Sequence, residues 1–307
     1  MQDGSKKAIL AAFFANLGIA IAKFVGFALT RSTGLLAEAG HSLADTGNQA
    51  LLLLGAKRSK RHPNREFQFG FGRERYFWSF VVALVLFSMG GLFALYEGIQ
   101  KLSHPHETER LPIAIAILLV AIALETFSLR TAVKEARHIK PRDISWYRFI
   151  RTSKQPELSV VLLEDIGAEA GLIIALGGVL AAHFTDEPRW DAAGSIAIGI
   201  LLVIIAAVLA IETKALLIGE SVNDADLESI SVALTSDPTV QSILNLRTEH
   251  ISPDEILVAT KLHFRDDLDV RSLSEAINRI ESAVRAAVPT ARYVFIEPDL
   301  PREDPRG

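Results

Sequence analysis

The sequence has no cysteine and only two methionines, three tryptophans and four tyrosines among its 307 residues. Without cysteine the chain forms neither a disulfide nor a thiolate metal site, so a bound metal would need His, Asp, Glu, carbonyl or water ligands. Three widespread enzyme motifs are also absent, namely HExxH, the phosphate-binding GxxxxGK and the nucleophile motif GxSxG. We therefore do not expect an enzyme.

The chain has little net charge and a large apolar fraction. Its formal charge is −4 and its pI is about 6.1, which gives no indication of nucleic-acid binding. Half of the residues are hydrophobic and the mean hydropathy is +0.28. Such a composition predicts an integral membrane protein in contact with lipid. A sliding window of roughly 19 residues predicts six spans, near residues 8–30, 34–56, 76–100, 111–133, 158–184 and 192–216.

Lysine and arginine concentrate in two loops, the one after the second predicted span and the one after the fourth. The first of these loops contains Lys57, Arg58, Lys60, Arg61, Arg65, Arg73 and Arg75, and the second contains Lys134, Arg137, Lys140, Arg142, Arg148, Arg151 and Lys154. Because cytoplasmic loops carry an excess of these residues, both loops and both termini are predicted to be cytoplasmic. The first apolar run is too long for a signal peptide and is predicted to be a permanent helix.

The composition after about Gly219 is typical of a small soluble domain. Asn223 with Asp226 indicates a capped helix start, and Ser272 with Glu275 indicates another. Three strand-like runs, at 240–247, 255–264 and 292–296, separate and follow these helices, and the second alternates strictly between apolar and more polar positions. The predicted fold class is a mainly α membrane protein, with a six-helix domain at 1–216 followed by a small cytoplasmic αββαβ domain at 217–307.

Two short stretches place ionisable side chains one helical turn apart inside apolar segments. They are His41-Ser-Leu-Ala-Asp45 and Asp165-Ile-Gly-Ala-Glu169. At about 1.5 Å per residue, His41 and Asp45 lie roughly 11 and 17 Å below the outer edge of the second span, and Asp165 and Glu169 lie roughly 11 and 17 Å above the inner edge of the fifth. All four residues therefore fall in the middle third of a core of about 30 Å.

One imidazole and three carboxylates can complete a four-coordinate shell for a divalent cation. A lone intramembrane histidine is more often a packing residue, but His41 is accompanied by three carboxylates at matching depth. Glu38 and Asn48 share the face of His41 and Asp45 and are candidates for contacts around the ligands or to water. Three further charged residues lie in spans without such a companion, and they are expected to make other contacts, to pair or to snorkel: Glu164, Glu125 and Lys23.

Four sequence stretches resemble the cation diffusion facilitators, most closely the zinc transporter nine branch. These stretches are His41-Ser-Leu-Ala-Asp45, Phe69-Gly-Phe-Gly-Arg-Glu74, Val161-Leu-Leu-Glu-Asp165 and Leu217-Ile-Gly-Glu220. The resemblance implies a homodimeric transporter that exchanges divalent metal for protons through six helices and a cytoplasmic αββαβ domain. It also implies that His41, Asp45, Asp165 and Glu169 form the transport site, and that no other cofactor is needed.

The resemblance further implies a weak regulatory metal site in the cytoplasmic domain. His263 matches one ligand of that site, Glu297 and Asp299 stand in the places of a second histidine and an aspartate, and Leu244 replaces another histidine. A solvated strand face explains His263 equally well. His62, in the basic loop after the second predicted span, is either a remnant of a loop site or a surface residue.

The metal and the class of function each keep alternatives. Many zinc members have His or Asp followed by Asp in the fifth helix, whereas Asp165 is followed here by Glu169. A shell made mostly of oxygen ligands suits Mn²⁺ or Fe²⁺ better than a shell of ligands of intermediate softness such as imidazole does. Zinc remains the first expectation, and Mn²⁺, Fe²⁺ and Co²⁺ are the alternatives. A membrane-anchored metal sensor or scaffold is a second hypothesis, and an intramembrane hydrolase is a weaker third. A multi-pass protein of a prokaryotic plasma (inner) membrane is expected.

Overall fold

The computed structural model describes residues 3–30, 33–103, 111–140 and 144–301. Within these ranges it describes every side chain except those of residues 3, 4, 30, 33–38, 41 and 152. The chain forms two compact units. One comprises Met1–Arg61 with Glu74–Lys214, and the other comprises His62–Arg73 with Ala215–Gly307.

The described secondary structure of the first unit consists of helices joined by short connections. Its helices are α1 Asp3–Thr30, α2 Thr33–Arg58, α3 Glu74–Val85, α4 Phe93–Ser103, α5 Leu111–Ile139, α6 Trp146–Thr152, α7 Pro156–Thr185 and α8 Arg189–Ile218. Long apolar runs favour helices in lipid because a helix satisfies all of its backbone hydrogen bonds internally. The short helix α6, capped by the Ser145 hydroxyl, was not among the sequence predictions.

Four helical segments of the described chain are long and apolar enough to cross a membrane. They are Ser5–Leu29, Glu74–Ser103, Leu111–Ile139 and Arg189–Ile218, and they correspond to the first, third, fourth and sixth predicted spans. The protein is thus a multi-pass membrane protein. Helices α2 and α7, in the second and fifth positions, are not among these four, and they contain the acidic residues of the two predicted pairs.

The third span is not a regular α-helix along its whole length. Residues Leu86–Leu92 form a π-helical segment between α3 and α4, a feature that often occurs at functional sites. Helix α4 packs tightly on α8, because a Cβ at Gly199 would stand only 2.7 Å from the Leu95 backbone nitrogen. A side chain at residue 199 would force these two helices apart.

The second unit contains two helices and a three-stranded sheet. Its elements are α9 Asp224–Thr235, β1 Val240–Ser252, β2 Glu255–Phe264, α10 Val270–Ala287 and β3 Tyr293–Pro298. The strand order is β1-β2-β3, with β1 antiparallel and β3 parallel to β2. The alternation predicted for 255–264 is confirmed, because every second side chain from Ile256 to Phe264 is buried.

The predicted cap of α9 is confirmed and that of α10 is wrong. The Asn223 side chain accepts a hydrogen bond from the Asp226 backbone nitrogen at 2.9 Å. At α10 the capping carboxylate is Asp269, which accepts from the Ser272 backbone nitrogen at 2.8 Å. The helix therefore begins earlier than predicted, because an aspartate three residues before Ser272 serves as the cap.

Residues His62–Arg73 of the loop after α2 pack within the second unit. The Phe69 ring meets the Tyr293 ring edge to face, with centroids 5.2 Å apart. Arg73 forms an ion pair with Glu249 of β1. A Cβ at Gly72 would stand 2.4 Å from the Ser252 Cβ. The sequence-based division had placed this loop with the helical domain.

Candidate metal site

The predicted pair on α2 is described only in part. The side chains of His41 and Glu38 lie outside the described residues, whereas Asp45 is described and half-buried. The neighbouring Ser42 hydroxyl accepts a hydrogen bond from the Lys23 ammonium of α1 at 3.1 Å. Lys23 therefore pairs with a buried hydroxyl on α2 and does not snorkel.

The predicted pair on α7 meets hydroxyl groups of α5. Asp165 is fully buried, and its Oδ2 accepts a hydrogen bond from Ser128 at 2.7 Å. Glu169 is half-buried, and its Oε1 accepts from Thr126 at 2.9 Å. The second oxygen of each carboxylate has no hydrogen-bond donor among the described residues. One oxygen of each side chain is thereby oriented by α5, and the other is left available to a cation.

Glu164 joins α7 to α2. Its carboxylate accepts hydrogen bonds from Asn48 at 3.0 Å and from Gln49 at 2.7 Å, and all three side chains are buried. Asn48 was a candidate for contacts around the ligands, and its amide binds Glu164. These two bonds show that α2 and α7 are neighbours one turn beyond Asp45. The sequence alone had not settled that relation.

Among the side chains that the structure describes, which include Asp45, Asp165 and Glu169 but not His41, no three His, Asp or Glu groups are close enough to hold a metal ion. The set His41, Asp45, Asp165 and Glu169 stays a prediction, because the His41 side chain is not described.

Sequence reasoning did not associate Glu125 of α5 with this region. Its side chain is 1% exposed, and it interacts electrostatically with four acidic residues: Asp165, Asp45, Glu164 and Glu169. Glu125 has no second ionisable residue four positions away on its own helix, so its spacing does not mark it as part of a pair. Its depth would have identified it, because 14 residues from Leu111 place it roughly 21 Å below the outer edge of the fourth span, near the level of Asp45.

The candidate cytoplasmic site does not form a metal-holding group. The ammonium of Lys261 contacts Glu297 at 2.9 Å and Asp299 at 3.0 Å. The Nε2 of His263 instead lies 3.8 Å from the carboxylate of Asp266. The parallel register of β2 and β3 places Lys261 opposite Glu297. The Lys261 ammonium therefore binds the two carboxylates that were expected to bind a metal. The two carboxylates raise the pKa of Lys261.

A buried ion pair connects the start of α3 to the start of α7. Arg75 and Glu157 are 3% and 1% exposed, and two nitrogens of the guanidinium contact both carboxylate oxygens. Removing one partner of such a pair leaves an uncompensated buried charge. The pair therefore holds these two helix ends together.

Membrane helices that enclose several buried carboxylates define a class of protein that handles cations within the membrane. Residues 9–218 match the family model described as the cation efflux transmembrane domain. The chain therefore belongs to the cation diffusion facilitator family, as the sequence motifs predicted. Members of this family are transporters, not enzymes.

Three relatives illustrate the similarity. The chain is 30% identical over 273 residues to the mitochondrial proton-coupled zinc antiporter SLC30A9 of Homo sapiens, covering 89% of this chain and 48% of the relative. It is 28% identical over 280 residues to metal tolerance protein C4 of Arabidopsis thaliana, covering 91% and 61%. It is 34% identical over 122 residues to zinc transporter ZitB of Pectobacterium atrosepticum, covering 40% and 37%. The chain spans about half the length of the SLC30A9 relative.

Proposed function

We propose that this chain exports a divalent metal cation across a membrane in exchange for protons. The observation that carries the proposal is the arrangement of Asp165 and Glu169, each with one oxygen held by a hydroxyl of α5 and one oxygen without a donor among the described residues. Buried oxygens are nearly always satisfied in native proteins. A transiently bound cation is the positive partner that these two oxygens need in place of a hydrogen-bond donor.

The proposed transport site comprises His41, Asp45, Asp165 and Glu169. In the proposed topology, α2 and α7 are the second and fifth of six spans, and the contact between them through Glu164 supports bringing the two pairs together. The basic loops support cytoplasmic termini and a cytoplasmic C-terminal domain. The family resemblance supports a homodimer. We place the protein in a prokaryotic plasma membrane, although the SLC30A9 relative is named mitochondrial.

Proton exchange follows from the chemistry of the ligands. Carboxylate and imidazole groups bind metal only when deprotonated, so metal binding and proton release are linked. In the proposed cycle, metal enters from the cytoplasm and protons from the other side displace it. Zinc is the first candidate because relatives are named for zinc, and Mn²⁺, Fe²⁺ and Co²⁺ are alternatives because the α7 pair offers only oxygen ligands.

Metal uptake into inverted membrane vesicles tests this proposal. Radioactive Zn²⁺ or Mn²⁺ should accumulate under a pH gradient, and accumulation should collapse when the gradient is dissipated. Asp45→Ala should abolish it, whereas Asp224→Ala, at an exposed position of α9, should not. Undiminished uptake by Asp45→Ala would refute the assignment of the site.

A further inference from the structure

The carboxylate of Glu125 differs from those of its acidic neighbours in its hydrogen bonding. It is buried, and neither of its oxygens has a hydrogen-bond donor among the residues that the structure describes. Glu164, by comparison, accepts from two amides, and Asp165 and Glu169 accept from one hydroxyl each. Glu125 is therefore the one carboxylate of this described group with both oxygens unpaired.

The surroundings of Glu125 are acidic on more than one helix. Its electrostatic neighbours are Asp165, Glu164 and Glu169 on α7 and Asp45 on α2. A buried carboxylate without a donor is strongly unfavourable, and further carboxylates around it add repulsion. Packing alone would favour a leucine or glutamine here, so a glutamate at this position needs a proton or a metal cation as its partner at each stage of the protein's cycle.

Helix α5 is already part of the site's construction. Thr126 and Ser128 orient Glu169 and Asp165 from the same turn that carries Glu125. Four carboxylate oxygens on α5 and α7 therefore have no donor within the described part of the chain, two from Glu125 and one each from Asp165 and Glu169. Such an all-oxygen set suits a hard divalent cation better than a thiolate or imidazole set does.

We propose that Glu125 is a further ligand of the transported cation, contributed by a third helix, and that it shifts metal preference toward oxygen-seeking ions such as Mn²⁺. The inference rests on the proposed function. No three metal-ligating side chains lie together among those that the structure describes, so in this proposal Glu125, Asp165 and Glu169 move closer to the cation when it binds. The three rotatable bonds of a glutamate side chain give Glu125 the reach for this movement.

The test is metal binding by the purified full-length chain in detergent micelles, for wild type and Glu125→Gln. We expect Glu125→Gln to weaken Zn²⁺ binding by about 10-fold or more, as loss of a group around a metal site typically does, and to weaken Mn²⁺ binding further. Its melting temperature without metal should be no lower than that of wild type, because Glu125 accepts no hydrogen bond from the described residues that the substitution would remove. Glu135→Gln, on the same helix but outside the acidic group, should leave both affinities unchanged.

Two outcomes would overturn the inference. One is wild-type affinity for both metals in Glu125→Gln. The other is a structural role, shown by a lowered melting temperature with an unchanged metal-induced rise, or by loss of folding in both Glu125→Gln and Glu125→Leu. If Asp45→Ala loses metal binding while Glu125→Gln keeps it, the inference fails and the proposed function stands. If wild type binds neither metal, the proposed function itself fails.

Discussion

At the scale of single residues, the buried carboxylates differ in their hydrogen bonding, and this difference separates their roles. Glu164 has two amide donors and connects α2 with α7. Asp165 and Glu169 have one hydroxyl donor each. A carboxylate with several donors is suited to hold structure, whereas one with unpaired oxygens is suited to exchange ligands. The sequence had already separated Glu164 from the adjacent Asp165, because only Asp165 has an acidic residue four positions on, and the two amide bonds of Glu164 are the other contact expected of it.

The structural role of Glu164 predicts the effect of Gln49→Met. The substitution keeps a similar volume but removes the 2.7 Å bond, leaving a buried carboxylate oxygen without its donor. We expect the free energy of unfolding to fall by about 1–3 kcal/mol, measured by denaturant titration in micelles. Gln100→Met, which removes an exposed amide bonded to Tyr96, should change it by less than about 0.5 kcal/mol. Equal effects would contradict the role assigned to Glu164.

Three acidic residues in the surroundings of Glu125 could be identified from the sequence, and their role as metal ligands stays a prediction. Asp45, Asp165 and Glu169 stood out because ionisable residues are costly in apolar segments, and the structure buries Asp165 completely. The choice of Glu164 as partner for Asn48 could not be predicted, because it depends on which helix faces α2. Glu125 was not predicted as part of the acidic group, because spacing within one helix cannot identify a residue whose acidic neighbours lie on other helices.

At the scale of elements, prediction succeeded where local pattern and packing agree. Strand β2 has the predicted bounds, because its period-two alternation matches its burial. Strand β1 extends to Ser252, five residues beyond the predicted end at Arg247. Its last residues pair with the start of β2 across a short turn. The alternation of apolar and polar residues within one strand cannot predict such pairing, because the pairing depends on the neighbouring strand. The π-helical segment Leu86–Leu92 likewise has no separate period in the sequence.

The cap of α9 gives a prediction at this scale. Asn223→Ala removes the acceptor for the Asp226 backbone nitrogen and should destabilise the helix by about 1 kcal/mol. Hydrogen exchange of α9 amides in the full chain should then accelerate roughly fivefold. Asn223→Ser, which retains a capping oxygen, should exchange close to the wild-type rate. Faster exchange in Asn223→Ser equal to that in Asn223→Ala would contradict a capping role.

The Lys261 ion pairs between β2 and β3 give a pH-dependent prediction. Hydrogen bonds to Glu297 and then Asp299 raise the pKa of Lys261. The resulting stability is therefore fully present below the unfolded-state pKa of about 10.4, and it is lost as the pH rises through the higher folded-state value. Lys261→Met should lower the urea midpoint of the C-terminal domain at pH 8, followed by NMR signals of the full chain, and the difference should disappear at strongly alkaline pH.

The same ion pairs predict that metal does not stabilise this strand pair. Adding Zn²⁺ or a chelator at pH 8 should leave the ¹³Cε signal of Lys261 and the urea midpoint unchanged, because the ammonium already neutralises both carboxylates. A Zn²⁺-induced rise in the midpoint that is lost in His263→Ala would contradict this and would support a regulatory metal site. Surface histidine His138, replaced in parallel, serves as the control.

At the scale of the whole molecule, the division into two units does not follow the chain continuously. The loop His62–Arg73 connects α2 to α3 but packs within the C-terminal unit. The sequence showed this loop as basic and containing Phe69-Gly-Phe-Gly-Arg-Glu74, but composition could not show where it packs. The chain continues from helix α2, which carries Asp45, directly into this loop, and the loop is held against β1 by contacts such as the Arg73–Glu249 ion pair.

The close approach of Gly72 to β1 predicts that a methyl group displaces the loop. Gly72→Ala would place a Cβ 2.4 Å from the Ser252 Cβ and 3.1 Å from the Ile251 carbonyl oxygen. We expect faster hydrogen exchange across residues 62–73 of the full chain. Adding Ser252→Gly should partly restore protection by removing the nearest atom, with Ser252→Gly alone as the reference. No change in Gly72→Ala would show that the loop is not held at this point.

The central claim, exchange of a divalent metal for protons through the buried acidic site, is tested most directly by following both ions in one experiment. Full-length protein is reconstituted into proteoliposomes containing a Zn²⁺ indicator and a pH indicator, with a zinc gradient and no initial pH gradient. We predict that zinc moves down its gradient while protons move the opposite way, and that Asp45→Ala shows neither movement. Zinc flux without proton movement, or equal flux in Asp45→Ala, would contradict the account.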